Sequence, residues 1–174
     1  PIECFQLSFQ NPMEKNYKEY LQQINTFIFD VDGVLTDGTI TITTNGDMHR
    51  TMHTKDGFAL KTAIDQGFNV CIISGGTDEG VRKRLKGLGI TDIYLGTHHK
   101  GEIMDEYLDI NNISRDHVLF MGDDIPDLHV MQQIALPCCP QDAVPEIKEI
   151  RSEERRVGKV GWGGGWGGCG AGGG

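Results

Sequence analysis

The stretch Asn25-Thr-Phe-Ile-Phe-Asp30-Val-Asp32-Gly-Val-Leu-Thr-Asp37-Gly38 decides the fold. Its apolar run at 27–29 reads as a buried strand that ends by presenting two carboxylates, Asp30 and Asp32, into a glycine-containing loop. Parallel α/β sheets hold their ligands beyond the carboxyl ends of the strands, which is where this pair falls. Two anions one residue apart repel, so a cation or a shared proton is implied. One carboxylate of such a pair can attack phosphorus to form an aspartyl-phosphate while the other exchanges a proton with the leaving oxygen. Taken alone, Asp-x-Asp also fits a polar turn after a strand.

Downstream the pattern alternates strand and helix. A helical period at 56–66 carries Leu60, Ala63 and Ile64 on one side and stops at Gly67; residues 69–73 form the next strand. Val81, Leu85 and Leu88 recur at helical spacing among Arg82, Lys83, Arg84 and Lys86, a basic cluster that reads as a solvated face. After Gly89 come a short strand at 92–95, a helix carrying Ile103, Met104, Tyr107 and Leu108, and a strand at 118–121. A helix at 126–133, opened by proline, leads to a last strand at 134–136. The alternation predicts an α/β fold, a parallel Rossmann-like sheet flanked by helices.

One segment departs from it. Residues 39–43 and 48–53 flank Thr44-Asn45-Gly46-Asp47, and Asn-Gly between strand-like runs predicts a hairpin. This β-hairpin flap, at 38–53, follows directly on the aspartate pair and is too small to be a cap domain. A site that must exclude water would borrow further cover from a neighbouring subunit.

At 174 residues the chain has room for one domain with a substantial core. Its formal charge of -9 argues against nucleic acid or an anionic membrane as the main partner. No apolar run approaches the roughly 20 residues of a membrane span, and residues 1–20 lack the pattern of a signal peptide, so the expected location is cytoplasmic. Five cysteines without Cys-x-x-Cys spacing read as reduced thiols, Cys71 buried in a strand and Cys138-Cys139 packed at a strand end. The expected organisation is an N-terminal extension at 1–25, with Met13 a candidate start, a catalytic domain at 26–150 and a Gly-rich tail at 151–174. That tail holds eleven of the 24 glycines and both tryptophans, cannot build a core, and opens on Arg-Ser-Glu-Glu-Arg-Arg-Val-Gly-Lys, which resembles a translated sequencing adapter.

Three more polar groups fall at strand ends. Ser74-Gly75-Gly76-Thr77 offers a hydroxyl and backbone N–H groups leading to a helix start, suited to phosphate oxygens. Lys100, in Gly96-Thr-His-His-Lys100-Gly101, could neutralise charge on a transferring group. Gly122-Asp123-Asp124-Ile-Pro-Asp127 sets three carboxylates in five residues at a helix opening, a pattern suited to a hard divalent cation. Magnesium, which takes a few carboxylates plus waters and phosphate oxygens, suits the set better than calcium.

In this order the motifs resemble those of haloacid-dehalogenase-superfamily phosphatases over about 26–150. The resemblance implies Asp30 as nucleophile, Asp32 as general acid and base, Ser74, Gly75 and Lys100 as phosphate binders, and magnesium held by Asp30, Asp123 and the Asp32 carbonyl. Asp124 and Asp127 would be partners of metal-bound water or structural. The small hairpin, Thr36-Asp37-Gly38, Lys55-Asp56-Gly57, Gly122-Asp-Asp-Ile-Pro-Asp127 and Pro137-Cys-Cys-Pro140 narrow the similarity to 3-deoxy-D-manno-octulosonate 8-phosphate (KDO 8-P) phosphatases. That resemblance implies magnesium-dependent hydrolysis of a sugar-acid phosphate on the route to lipopolysaccharide, in homotetramers where one subunit's hairpin covers the next subunit's site. Sialic-acid-type 9-phosphate phosphatases share these motifs. Family chains normally continue past the position of Ile150 into a glycine-containing segment and a closing helix; here the Gly-rich tail stands instead, which keeps a truncated, non-catalytic binding or assembly protein as an alternative.

His49 and His53, and the vicinal pair His98-His99, make a poor metal set. A receiver domain of signalling proteins uses similar groups but places its paired acids early and its phospho-accepting Asp on a later strand, the reverse of the order here.

Overall fold

Four apolar runs become the strands that the alternation predicts. The computed structural model describes residues 17–150, so the expectations for the tail, the adapter-like segment and Met13 lie outside the described residues. After a short helix α1 (Tyr17–Leu21) come β1 (Thr26–Phe29), the hairpin β2 (Thr41–Ile42) and β3 (Met48–His49), α2 (Thr54–Asp65) and β4 (Asn69–Ser74). Then follow α3 (Glu79–Gly87), β5 (Asp92–Leu95), α4 (Lys100–Ile110), β6 (Val118–Met121), α5 (Ile125–Met131), β7 (Leu136–Cys138) and α6 (Pro145–Glu149). Among the described residues no helix is long and apolar enough to cross a membrane.

The five larger strands form one parallel sheet in the order β5-β4-β1-β6-β7. A parallel strand with helices on both sheet faces must be apolar on both, hence continuous hydrophobic runs rather than alternation. Neighbouring residues accordingly feed two cores. Cys71 and Ile73 of β4 pack with Ile28, Met104, Tyr107 and Ile147, under α4 to α6. Val70 and Ile72 pack with Phe29, Leu60, Val81 and Leu85, under α2 and α3. The Cys71 thiol is free and fully buried.

Local stops follow the predicted chemistry. Gly67 (φ +87°) closes α2, where Phe68 N–H donates to Ala63 O at 3.0 Å. The N-cap of α2 is His53, whose Nδ1 accepts from Lys55 N–H at 3.1 Å; both His49 and His53 are exposed. The hairpin turns at Gly46 (φ +87°), with Thr43 N–H donating to Asp47 O at 2.9 Å. Its paired strands are two residues each, shorter than predicted, and an isolated bridge between Thr36 and Met52 closes its base.

Two predictions need correction. The last strand is Leu136–Cys138, not 134–136, so Pro137 lies within it and pairs opposite Phe120. Among the described residues β7 is an edge strand, and an edge tolerates proline because the side without a ladder partner needs no N–H donor. The helix Pro145–Glu149 was not expected from the sequence; Pro145 opens it and Ile147 is fully buried.

The order of strands sets the site. From β1 the chain steps to β4 and β5 on one side, then to β6 and β7 on the other. The reversal leaves a crevice beyond the carboxyl end of β1, and Asp30 is the first residue past that end.

Candidate active site

Asp30 sits in backbone continuity with the sheet, its N–H donating to Met121 O at 3.0 Å. Both carboxylate oxygens are held. Val31 N–H donates to Oδ1 at 2.6 Å, and Lys100 Nζ donates to Oδ2 at 2.7 Å. Lys100, the first residue of α4, is only 5 % exposed and also donates to Asp127 Oδ1 at 2.7 Å. One buried ammonium therefore bridges two carboxylates drawn from different strand ends. Burial works against the charge of Lys100, but Asp30 and Asp127 outweigh it and its pKa lies above the ordinary lysine value. Burial raises Asp30; Lys100 pulls the other way, Asp127 pushes up with burial, and the net direction is upward.

Asp127 is fully buried in the first turn of α5, deeper than its sequence position suggested. Its Oδ2 accepts from Asp123 N–H at 3.2 Å and from Asp124 N–H at 3.4 Å, which ties the β6–α5 loop over the cluster. Gly122 makes this possible, since a Cβ there would stand 2.5 Å from the Asp127 side chain. Gly33 does the same for Asp123: its φ is +80°, and a Cβ would meet Asp123 Oδ2 at 1.8 Å.

Carboxylate oxygens of Asp30, Asp123 and Asp127 lie within 4.8 Å of one another. Burial, then the charges of Asp30, Asp127 and Asp124, push Asp123 up to about 7, with Lys100 opposing. Three converging carboxylates and one ammonium leave excess negative charge in a half-buried place, an arrangement that a hard divalent cation would neutralise. The donor set of Asp30, Asp123 and Asp127 thus suits a hard divalent cation such as magnesium.

The remaining predicted residues occupy a second pole. Asp32, 35 % exposed at its side chain, contributes no carboxylate to that cluster. It is gripped by Arg50 of the hairpin segment, Nε to Oδ1 at 2.6 Å and Nη2 to Oδ2 at 3.0 Å. Arg50 Nη1 also faces Asp78 Oδ2 at 3.5 Å. Ser74, at the end of β4, is 2 % exposed and accepts from Gly76 N–H at 3.3 Å; Gly75 is exposed beside it. The Ser74 loop is anchored to the following one, with Thr97 N–H donating to Ser74 O and Gly96 N–H to Gly76 O. Val31, Asp32, Arg50, Ser74, Gly76 and Asp78 line one small cleft.

Asp124 is exposed and caps α5, its Oδ1 accepting from Ile125 N–H at 2.8 Å. His98 and His99 are exposed beside Lys100. Arg50 and Asp78 are the site residues that sequence reasoning missed. One signal was available: Arg50 is the single Lys or Arg within 38–53, the segment read as a flap over an anionic substrate.

The chain matches no family model. It is 32% identical over 134 residues to the 3-deoxy-D-manno-octulosonate 8-phosphate phosphatase KdsC of Escherichia coli, covering 77% of this chain and 71% of that protein. The Moraxella catarrhalis 3-deoxy-D-manno-octulosonate 8-phosphate phosphatase, solved with a magnesium ion, a phosphate ion and KDO, superposes with TM-score 0.73 at 26% identity, covering 76% of each chain. The cobalt-bound Haemophilus influenzae deoxy-D-mannose-octulosonate 8-phosphate phosphatase gives 0.72 at 29% identity, over 75% of this chain and 77% of that one.

Proposed function

Because the chain belongs to the 3-deoxy-D-manno-octulosonate 8-phosphate phosphatases of the haloacid-dehalogenase superfamily, we propose that it hydrolyses a sugar-acid phosphomonoester, 3-deoxy-D-manno-octulosonate 8-phosphate first among candidates. The observation that carries the reading is the buried Asp30–Lys100–Asp127 arrangement with Asp123 beside it. A carboxylate whose two oxygens are pinned by an ammonium and a backbone N–H is oriented, not free to rotate. Asp30 is the nucleophile, attacking phosphorus in line and forming an aspartyl-phosphate. Lys100 and the Ser74 hydroxyl, with the N–H of Gly75, meet the phosphoryl oxygens. Asp32, on the leaving-group side, protonates the sugar oxygen and then serves as base for the water that releases phosphate.

Asp30, Asp123 and the Asp32 carbonyl would hold magnesium, which when bound would supply charge neutralisation for the phosphoryl group. Asp127 fixes Lys100, and Asp124 caps α5 beside the metal ligands. The working assembly is a homotetramer in which a neighbouring hairpin helps close the site. Exposed Ile42 and Met48, 70 % and 51 % accessible on the paired hairpin strands, support that contact.

The test is phosphate release by the full chain from 3-deoxy-D-manno-octulosonate 8-phosphate, with magnesium and with chelator. Magnesium-dependent turnover supports the reading. Faster turnover of a nine-carbon sialic-acid-type phosphate moves the substrate assignment, and absence of turnover on both esters with the fold intact moves the chain to the non-catalytic alternative.

A further inference from the structure

Arg50 leaves a hairpin whose paired strands are exposed, yet its own side chain is 7 % accessible, less than the Asp32 it holds. Two other features converge on its guanidinium. Asp78, which faces Nη1, is itself fixed, because its Oδ1 accepts from Gly80 and Val81 N–H at 2.7 and 3.3 Å where α3 begins. Gly76 provides the room: a Cβ at 76 would stand 3.2 Å from Arg50 Nη2 and 3.4 Å from Asp32 Oδ2. Gly76 is not among the glycines with positive φ, so the missing side chain serves the space above it, not the backbone.

A guanidinium that meets both oxygens of a carboxylate fixes its plane as well as its place, which a single-point ammonium cannot do. Carboxylates offer about four lone-pair directions, so this grip leaves two for the substrate side. We propose that Arg50, seated over Gly76, is a positioning residue for Asp32, so that the hairpin orients the group that serves the leaving oxygen. This rests on the phosphatase reading above. Lys100, the cation at the phosphoryl end, contacts Asp30 and Asp127 instead, so loss of Arg50 should be felt at the leaving-group end.

Two substrates separate the ends. A sugar alkoxide needs a proton as it departs, whereas p-nitrophenolate leaves without one. First-turnover rates by rapid mixing would be measured with magnesium for full-length wild type, Arg50→Ala, Arg50→Lys and Gly76→Ala. The readouts are release of the sugar acid from 3-deoxy-D-manno-octulosonate 8-phosphate and of nitrophenolate from p-nitrophenyl phosphate. Arg50→Ala should slow sugar release by about 10–100-fold and nitrophenolate release by less than about threefold, with Arg50→Lys and Gly76→Ala in between. Inhibition by inorganic phosphate should stay within about twofold in all four, since the phosphoryl contacts are intact.

Equal slowing on both esters overturns the proposal, as does an effect confined to the KM of the sugar acid, which would make Arg50 a direct substrate contact. An Arg50→Ala protein as fast as wild type overturns it too. Gly76→Ala changes no charge, so it keeps the test decisive if thermal unfolding shows that Arg50→Ala has lost the fold. Should wild type hydrolyse neither ester, the phosphatase reading fails and the proposal goes with it; if wild type is active, the variants judge the proposal alone.

Discussion

Asp30 and Asp32 are one residue apart, yet they belong to differently built regions. Asp30 is 7 % exposed, and its partners Lys100 and Met121, with Asp127 sharing the same ammonium, come from α4, β6 and α5, elements of the central sheet and its helices. Asp32 has 35 % of its side chain exposed and is held by Arg50, from a hairpin segment outside that sheet. The difference shows how one loop can serve two demands. On the proposed mechanism Asp30, as nucleophile, must stand at a fixed distance from phosphorus, which the core provides, whereas Asp32 would meet leaving oxygens of varied shape and can be held by the element nearest the substrate.

The sharpest way to break the comparison is at Asp30. Asp30→Asn keeps the shape but removes the attacking charge, and turnover should fall by at least about a thousandfold on any phosphomonoester, good leaving group or poor. Circular dichroism and the unfolding midpoint should show a folded protein. Retained turnover would transfer the nucleophile's role elsewhere.

A second test sets the charged core against pH. Asp123 is raised from 3.8 to about 7 and Asp30 is raised as well. A carboxyl whose folded value lies above its unfolded one binds more protons when folded. Its contribution is therefore full below the unfolded value near 4 and is lost as pH rises through the folded value. In chelator, the unfolding temperature should fall between about pH 5 and about pH 8. Millimolar magnesium should remove most of that slope by supplying the missing positive charge. An unfolding temperature flat across this range without metal would mean that the acidic cluster is relaxed by other means.

The smallest effect separates capping from catalysis within the acidic run. Asp124→Ala removes an exposed N-cap from α5 and should cost about 1 kcal/mol in urea unfolding while turnover changes by less than about threefold. A large loss of magnesium affinity would move Asp124 into the metal site.

Much of this was legible in the chain. The strands at β1, β4 and β6 were readable because each carries an apolar run buried against both sheet faces, and β5, a half-buried edge strand, because Ile93-Tyr94-Leu95 is bracketed by turn residues. The carboxylates of Asp30 and Asp123 and the Ser74 hydroxyl were readable because strand ends in a parallel sheet converge on one edge. Positions fixed by distant partners were not. Arg50 finds Asp32 and Asp78 from 18 and 28 residues away, with no periodic signal to announce it. The burial of Asp127 depends on the missing side chain of Gly122 and on two loop N–H groups, which no spacing rule records. The β7 shift has a similar origin, since proline reads as a stop until its place at a sheet edge is known.

The proline at that edge also bears on how the protein behaves in a crowded solution. Cys138 O points inward, accepting from Gly122 N–H, so the alternating residue Pro137 turns its backbone toward the open side of β7. A foreign strand seeking to extend the sheet there would find a ring carbon where it needs a donor. The same residue that blurred the reading of the last strand thus stands guard against edge-to-edge pairing at the edge of the five-stranded sheet formed by the described residues.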